Sequence, residues 1–251
     1  MGNKGNFIKD YCVEYGDADY FKKIRLSKLF NYLQEISSLH SASLGIGIET
    51  LAKDFNVAWA LVRMRVDVIK FPEWNQEITV ETWPLEPKKL EFERDYYVKD
   101  KEGNVLVKAI SSWVIIDLEE RAIRKSELIK IDYPEIITQR AIDCKFAKLK
   151  PFGECIHSYS KKIGYSDIDI NGHLNNTKYI DYLMDCFSLD EHSKYEVSSI
   201  QVGYIKEALP GDNISFNKDT SRVSEGMVYI EGVDEAGQHY FKAQVNIIPR
   251  K

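Results

Sequence analysis

A short stretch in the second half of the chain concentrates side chains that could do acid–base chemistry. Residues 165–185 read YSDIDINGHLNNTKYIDYLMD, and within them Asp169, Asn171 and His173 alternate in what the pattern predicts to be an extended run. Because residues two apart project to the same side of a strand, we expect these three side chains to converge. A carboxylate, an amide and an imidazole in one place could activate water or move a proton near neutral pH.

A helix is predicted directly after this cluster. Apolar side chains recur at the spacing of one buried helical stripe, at Tyr179, Ile180, Leu183, Met184 and Phe187. Asn175 or Asn176 can cap its first turn, and the free amides there favour an oxyanion or a polarised carbonyl nearby. The alternative interpretation is a capped loop with no further role. The aspartate and histidine that accompany the cap favour a functional site.

The two halves of the chain show the same order of predicted elements. In the first half, an extended piece at 11–15 precedes a helix whose apolar stripe holds Leu26, Leu29, Phe30, Leu33 and Ile36 and which ends near Gly45 and Gly47. Strands are predicted after it at 57–68, 77–83, 90–99 and 105–116. In the second half, a helix at 176–188 precedes strands near 197–205, 213–218, 227–233 and 240–248.

Matching short sequences indicate an internal duplication. VKDKEG at 98–103 matches GVDEAG at 232–237, and a Lys-Ala pair follows each at the same distance. Upstream, the series Tyr15, Asp17, Asp19 parallels Tyr165, Asp167, Asp169. One long helix against one antiparallel sheet in each half predicts an α+β protein with a tandem hot-dog fold, in which each sheet wraps its helix. Ferredoxin-like repeats are disfavoured, because they need two long helices per half.

Only the second copy carries the polar set. The first copy reads GDADYFKK at 16–23, without histidine or asparagine, and has Phe71 where the second copy has Glu207. We therefore predict one site per chain, in a C-terminal domain at 155–251. An N-terminal domain at 1–126 is then available to hold an apolar ligand, and a linker at 127–154 joins the two. Such units usually pair sheet edge to sheet edge, so the chain would be a single-chain dimer, standing alone or as a homodimer.

Composition limits the class of protein. The chain has 251 residues, of which 44% are hydrophobic and 29% charged, as in soluble globular proteins. Neither a membrane span nor the apolar core of a signal peptide is predicted, so we expect a cytoplasmic protein. The net charge of −5 argues against general nucleic-acid binding. The four cysteines lack metal-ligand spacing, so we predict structural thiols and neither metal nor cofactor.

The run from Asp167 to Tyr179, DIDINGHLNNTKY, resembles the signature of acyl-acyl carrier protein (acyl-ACP) thioesterases of plants and bacteria. The likeness covers nearly the whole chain, with further matches at Thr82-Trp83-Pro84, Arg94-Asp95-Tyr96, Ser112-Trp113-Val114 and Tyr204 to Ala208. The resemblance implies that Asp169, Asn171, His173 and Glu207 form the active site. In plant members the residue after that glutamate is a cysteine once proposed as nucleophile. Here it is Ala208, which favours attack by water.

The resemblance also implies a substrate and a partner. The substrate would be a fatty acyl chain on the phosphopantetheine of an acyl carrier protein, with a tunnel for the chain in the first half. Carrier proteins are acidic, so one basic group could receive them. The candidate groups are Lys22, Lys23 and Arg25; Arg121, Arg124 and Lys125; Lys145, Lys148 and Lys150; and Lys161 and Lys162.

Roles within the site stay open at this point. Glu207 or His173 could be the base, Asp169 could orient its neighbours, and Asn171 could position water or substrate. Alternative functions are those of other hot-dog enzymes, namely a thioesterase for coenzyme A esters or a hydratase or dehydratase. A non-catalytic acyl-binding module is disfavoured by the intact polar set.

Overall fold

The computed structural model describes residues 5–129, 131 and 135–250. The chain divides into two compact units, Met1–Met64 with Ile69–Cys144, and Lys145–Lys251 with Arg65–Val68. Each unit places a helix against an antiparallel sheet, which confirms the α+β class and the tandem hot-dog fold. No helix in the described part of the chain is long and apolar enough to cross a membrane.

The first half of the chain forms a sheet in the order β1-β3-β4-β5-β2, with β6 beside β5. Its strands are β1 (Phe7–Cys12), β2 (Val57–Val68), β3 (Glu77–Pro84), β4 (Phe92–Lys99), β5 (Val105–Asp117) and β6 (Ile123–Arg124). Helix α1 (Leu26–Ser43) contacts β1 and β3. The predicted stripe of Leu26, Leu29, Phe30, Leu33 and Ile36 is buried, so this periodicity is confirmed. It gives the helix one continuous apolar face.

Two details of the first half differ from the prediction. The opening strand is Phe7–Cys12, and Tyr15–Asp17 is a turn of 3-10 helix rather than extended chain. The Asp17 carboxylate accepts a hydrogen bond from the amide of Glu14 and so closes this turn. A second helix, α2 (Ile48–Phe55), was not predicted. Its apolar residues Ile48, Leu51 and Phe55 have helical spacing, but the helix has only eight residues and Leu51 is its one buried residue.

The second half forms a sheet in the order β8-β11-β10-β9-β7. Its elements are β7 (Ile156–Lys162), α3 (Asn176–Met184), α4 (Leu189–Lys194), β8 (Tyr195–Tyr204), β9 (Asn213–Asp219), β10 (Met227–Val233) and β11 (His239–Pro249). All neighbouring pairs are antiparallel. The predicted helix 176–188 is too long. Ser188 accepts from the Glu191 amide, while the Glu191 side chain accepts from the Ser188 amide, and this capping box starts α4 separately. Strand β7 was not predicted, since it is mostly exposed.

The connection between the halves contains no helix or strand from residue 129 to 155 where the structure describes it. Its first part is tied to the first unit, since the amide of Ala141 and Nε of Arg140 donate to the buried carboxylate of Asp95 at 2.6 and 3.1 Å. Its last part is tied to the second unit, where Asp219 accepts from two amides at 2.7 Å. Residues 130 and 132–134 of the predicted linker lie outside the described residues. The predicted domain bounds stay a prediction.

A buried aspartate anchors the start of the helix in each unit. Asp167 is 4% exposed and accepts hydrogen bonds from the Tyr182 hydroxyl and the Gly164 amide. Lys161 lies 3.4 Å away. Burial acts to raise the pKa of Asp167, but these bonds and the lysine outweigh it and hold the pKa below its usual range. In the first unit, Asp17 accepts from Tyr32 at 2.6 Å in the same arrangement.

We predict that Asp167→Asn lowers the free energy of unfolding by about 1–3 kcal/mol at pH 7, because a buried charge-assisted bond is lost. The unfolded chain has an aspartate pKa of about 3.9, above that of folded Asp167. The carboxylate therefore stabilises the fold above that pH, and this contribution is lost as the pH falls through the folded pKa. Denaturant unfolding at pH 7 and pH 3 should show the difference from wild type shrinking at pH 3.

Asp190→Asn is the matched control, since Asp190 pairs with Lys194 at the surface of the same unit. Exposed pairs contribute little, so we expect a change below about 1 kcal/mol at both pH values. An Asp167→Asn deficit of the same size at pH 3 and pH 7 would contradict the anchoring role of the charge.

Candidate active site

Asp169, Asn171 and His173 lie in a tight turn, so the predicted extended run is wrong. Ile168 pairs with Leu174 as an isolated β-bridge, and the Asp169 amide donates to the His173 carbonyl at 2.9 Å. These hydrogen bonds reverse the chain, and Gly172 at the tip has a left-handed φ of 79°, which glycine tolerates without steric cost. The turn, rather than the side-chain alternation of a strand, determines where the three side chains lie.

The carboxylate of Asp169 stabilises this turn. Its Oδ1 accepts a hydrogen bond from the Asn171 amide at 2.8 Å, the pattern of an Asx turn. Asp169 is half-buried, whereas Asn171 is exposed at the tip. The structure therefore joins Asp169 to the main chain of Asn171 and orients the residues that follow it.

The structure brings His173 and Glu207 together. Nε2 of His173 lies 3.5 Å from Oε2 of Glu207, and the side chains are 26% and 44% exposed. Glu207 follows β8 and reaches the turn because the amide of Leu174 donates to the carbonyl of Ala208 at 2.9 Å. An imidazole and a carboxylate thus meet where solvent can reach both.

The helix that follows the turn begins at a side-chain cap, as the asparagines predict. Oδ1 of Asn175 accepts from the amide and the hydroxyl of Thr177, both at 2.8 Å. The amide of Asn175 in turn donates to the carbonyl of Asp167 at 2.9 Å. The N-terminus of α3 is therefore fixed to the same turn that carries His173.

The first unit repeats the backbone turn and its hydrogen bonds, with other side chains in place of His173 and Glu207. The Asp19 amide donates to the Lys23 carbonyl at 2.7 Å, and Asp19 Oδ1 accepts from the Phe21 amide at 2.8 Å. The amide of Ile24 donates to the carbonyl of Pro72 at 2.8 Å, as Leu174 does to Ala208. This shared hydrogen bonding confirms the internal duplication.

In the first unit, different side chains occupy the positions that correspond to His173 and Glu207. Where the second unit has His173 and Glu207, the first has Lys23 and Phe71, with the Lys23 ammonium 6.0 Å from the centre of the Phe71 ring. This pair has no group that could act as a base near neutral pH. The backbone turn is present in both units, and the imidazole–carboxylate pair is in the second unit.

The possible metal ligands and two of the thiols can be located in the structure. Across residues 5–129, 131 and 135–250, no group of three histidine, cysteine, aspartate or glutamate side chains is placed to hold a metal ion. Burial raises the pKa of Cys155 to about 11 and that of Cys186 to about 12, so both are protonated near neutral pH. Ala208, beside Glu207, is fully buried.

Tyrosines around Glu207 were missed by the sequence reasoning, which assigned Tyr179 to the apolar stripe alone. The Tyr179 hydroxyl donates to the carbonyl of Lys206 at 3.5 Å. The Tyr204 hydroxyl donates to the carbonyl of Asn176 at 3.2 Å. A signal was available in the sequence, because the first copy has Leu29 at the position of Tyr179.

Two hot-dog units, one of which carries an imidazole–carboxylate pair at the start of its helix, define a tandem hot-dog protein with this pair in its second unit. The family model described as acyl-ACP thioesterase N-terminal domain matches residues 4–131, and the acyl-ACP thioesterase C-terminal domain matches residues 154–248. The chain belongs to the acyl-ACP thioesterase family.

Individual relatives agree with this assignment. The chain is 25% identical over 236 residues to the chloroplastic oleoyl-acyl carrier protein thioesterase 1 of Arabidopsis thaliana, covering 87% of this chain and 65% of that protein. It is similar to the crystal structure of an acyl-ACP thioesterase from Bacteroides thetaiotaomicron, with a TM-score of 0.86, 26% identity, and coverage of 97% and 98% of the two chains. The 12:0-ACP thioesterase from Umbellularia californica shares the fold, with a TM-score of 0.87, 20% identity and coverage of 98% of each chain.

We predict that a thiol at position 208 stays unreactive. In Ala208→Cys the new side chain lies where the present one is fully buried, so a water-soluble alkylating reagent should not reach it in the folded protein. Mass spectrometry of peptides after iodoacetamide treatment should show residue 208 labelled only after unfolding.

Leu209→Cys provides the control, because Leu209 is the next residue and is 49% exposed. We expect rapid labelling there under the same conditions. Labelling of residue 208 at a comparable rate in the folded protein would contradict the buried position.

Proposed function

We propose that this protein is an acyl-ACP thioesterase, which hydrolyses the thioester of a fatty acyl-acyl carrier protein to the free fatty acid and holo-ACP. The observation that carries the proposal is the pairing of His173 with Glu207 in one of two copies that share the same backbone turn. Membership of the acyl-ACP thioesterase family and the names of the relatives support it. The chain spans 65% of the length of the Arabidopsis protein.

We propose water as the nucleophile, activated by His173 and Glu207 together. Their 3.5 Å separation is longer than a strong hydrogen bond, and a water molecule at about 2.8 Å from both atoms completes a triangle with them. Such a water can lose a proton to the pair as it attacks. The buried Ala208 offers no competing nucleophile.

The reaction balances with these groups. The water oxygen bonds to the thioester carbonyl carbon while its proton passes to the His173–Glu207 pair. The tetrahedral intermediate then collapses, the carbon–sulfur bond breaks, and the proton is returned to the phosphopantetheine sulfur. We assign Asn171 to positioning water or the developing oxyanion, and Asp169 to holding the turn through its bond to the Asn171 amide.

We propose that the acyl chain lies in the first domain, between α1 and its sheet. Helix α1 has 18 residues and α3 has 9, so the first unit has the longer helix for an extended acyl chain to lie along. We also propose a cytoplasmic location, because Cys12, Cys144, Cys155 and Cys186 are all free thiols, as in a reducing compartment.

We predict graded losses of turnover when the four site residues are replaced. His173→Ala and Glu207→Ala should lower kcat by about a hundred-fold to ten-thousand-fold, since each removes part of the base. Asn171→Ala should lower it about a hundred-fold if it contacts the oxyanion. Asp169→Ala should lower it about ten-fold through the loosened turn. Steady-state thiol release from acyl-ACP measures all four.

Asp19→Ala is the matched control, because Asp19 makes the corresponding Asx turn in the first unit. It should retain kcat within about two-fold. Near wild-type turnover in all four site variants would remove the proposed active site.

We predict that the protein prefers acyl-ACP over the corresponding acyl-CoA by at least about ten-fold in kcat/KM. The measurement is thiol release from both thioesters across a series of acyl chain lengths. A preference for acyl-CoA would indicate a coenzyme A thioesterase. Hydration of a 2-enoyl thioester without thiol release would indicate a hydratase, and no reaction with any thioester would indicate an acyl-binding module.

A further inference from the structure

The second unit has tyrosines near Glu207 where the first unit has aliphatic residues at corresponding positions. The pairs are Tyr179 with Leu29, Tyr204 with Val68, and Tyr240 with Leu106. Backbone hydrogen bonds establish the last pair. The amides of the two residues after β8 donate to the Tyr240 carbonyl at 2.8 and 3.1 Å, and those of the two residues after β2 donate to the Leu106 carbonyl at 2.9 and 3.1 Å.

Tyr179 holds the peptide groups on both sides of Glu207. Its hydroxyl donates to the carbonyl of Lys206 at 3.5 Å and lies close to the amide of Ala208. Tyr179 is 2% exposed, so the ring cannot move without disturbing the core. Leu29 has no hydroxyl and leaves the corresponding peptides of the first unit without this bridge.

Tyr240 fixes the other end of the same segment. Its hydroxyl donates to Oδ2 of Asp212 at 2.9 Å, and the same oxygen accepts from the amide of Leu209 at 2.9 Å. In the first unit, Oε1 of Gln76 accepts from the Glu73 amide at 2.9 Å and so closes the corresponding turn. There the facing residue is aliphatic, so the turn gains no bond to the sheet.

A cation and burial hold the ring of Tyr240. The ammonium of Lys206, the residue before Glu207, lies 4.9 Å from the ring centre and 3.3 Å from Oδ2 of Asp234. Tyr240 is 3% exposed. Burial and the bond to Asp212 raise the pKa of Tyr240 to about 12, so the hydroxyl remains a donor over the working pH range.

We propose that Tyr179 and Tyr240, the latter through Asp212, are positioning residues that keep the Glu207 carboxylate facing His173. Neither tyrosine is assigned a contact with the substrate. The inference rests on the proposed function, because it requires Glu207 to take part in hydrolysis. Glu207 is 44% exposed on a loop, and a small displacement of a reacting group costs rate steeply, so the loop needs such support.

The test is a double-mutant cycle with acyl-ACP as substrate. Tyr179→Phe and Tyr240→Phe are each made in the wild type and in Glu207→Gln, and kcat and KM are measured for all variants. In the wild type we expect each to lower kcat by about five- to twenty-fold with KM changed by less than about two-fold. In Glu207→Gln we expect no further loss, because the group that they position is already disabled.

Tyr229→Phe is the matched control, since it removes another buried phenol that donates to a carboxylate, Glu231, at 2.9 Å in the same unit. It should leave kcat unchanged. Circular dichroism verifies that each variant folds. If Tyr240→Phe does not fold, Asp212→Asn replaces it, because this change weakens the same bond while keeping the shape.

The outcomes separate the two proposals. Unchanged kcat in both tyrosine variants, or equal losses with and without the Glu207→Gln change, would overturn the positioning role. If Glu207→Gln is slow while the tyrosine losses are additive, the positioning role fails and the proposed function stands. Wild-type turnover in Glu207→Gln would overturn the acid–base pair and the positioning role together.

Discussion

The site depends on one backbone hydrogen bond, from the amide of Leu174 to the carbonyl of Ala208 at 2.9 Å. It joins the turn before α3 to the loop after β8, two segments that are distant in the chain. Without it, His173 and Glu207 would belong to separate surface loops. The anchoring aspartate at position 167 and the cap at Asn175 hold one side of this junction, and the tyrosines hold the other.

The duplication separates the contributions of backbone and side chains. Both units make the same turn, the same bridge and the same bond to the following loop, so these features belong to the fold. The pair of His173 and Glu207 and the phenols around it occur in the second unit at positions that are aliphatic, aromatic or basic in the first. The same backbone geometry therefore forms with the imidazole–carboxylate pair in the second unit and without it in the first.

Much of the fold could be predicted from the sequence because it follows from periodicity. The stripe of α1 was recognised because the helix buries one face, and the long strands because they are rich in β-branched and aromatic residues. Helix α2 was missed because it has only eight residues, although its apolar residues have helical spacing, and strand β7 was missed because it is mostly exposed. The turn at 168–174 was predicted to be extended, since alternating polar residues are also compatible with a tight turn closed by the bond from the Asp169 amide to the His173 carbonyl. The support from Tyr240 and Asp212 is a tertiary contact, which local pattern does not reveal.

The turn in the first unit keeps its shape with Lys22 at a left-handed φ of 59°, where the second unit has Gly172. A non-glycine residue there costs about 1 kcal/mol or more, so the surrounding hydrogen bonds, and not the glycine, impose the conformation. The turn therefore forms with either lysine or glycine at the position that has a left-handed φ. For protein engineering, the first unit therefore offers a backbone in which a second imidazole–carboxylate pair could be introduced by new side chains at positions 23 and 71.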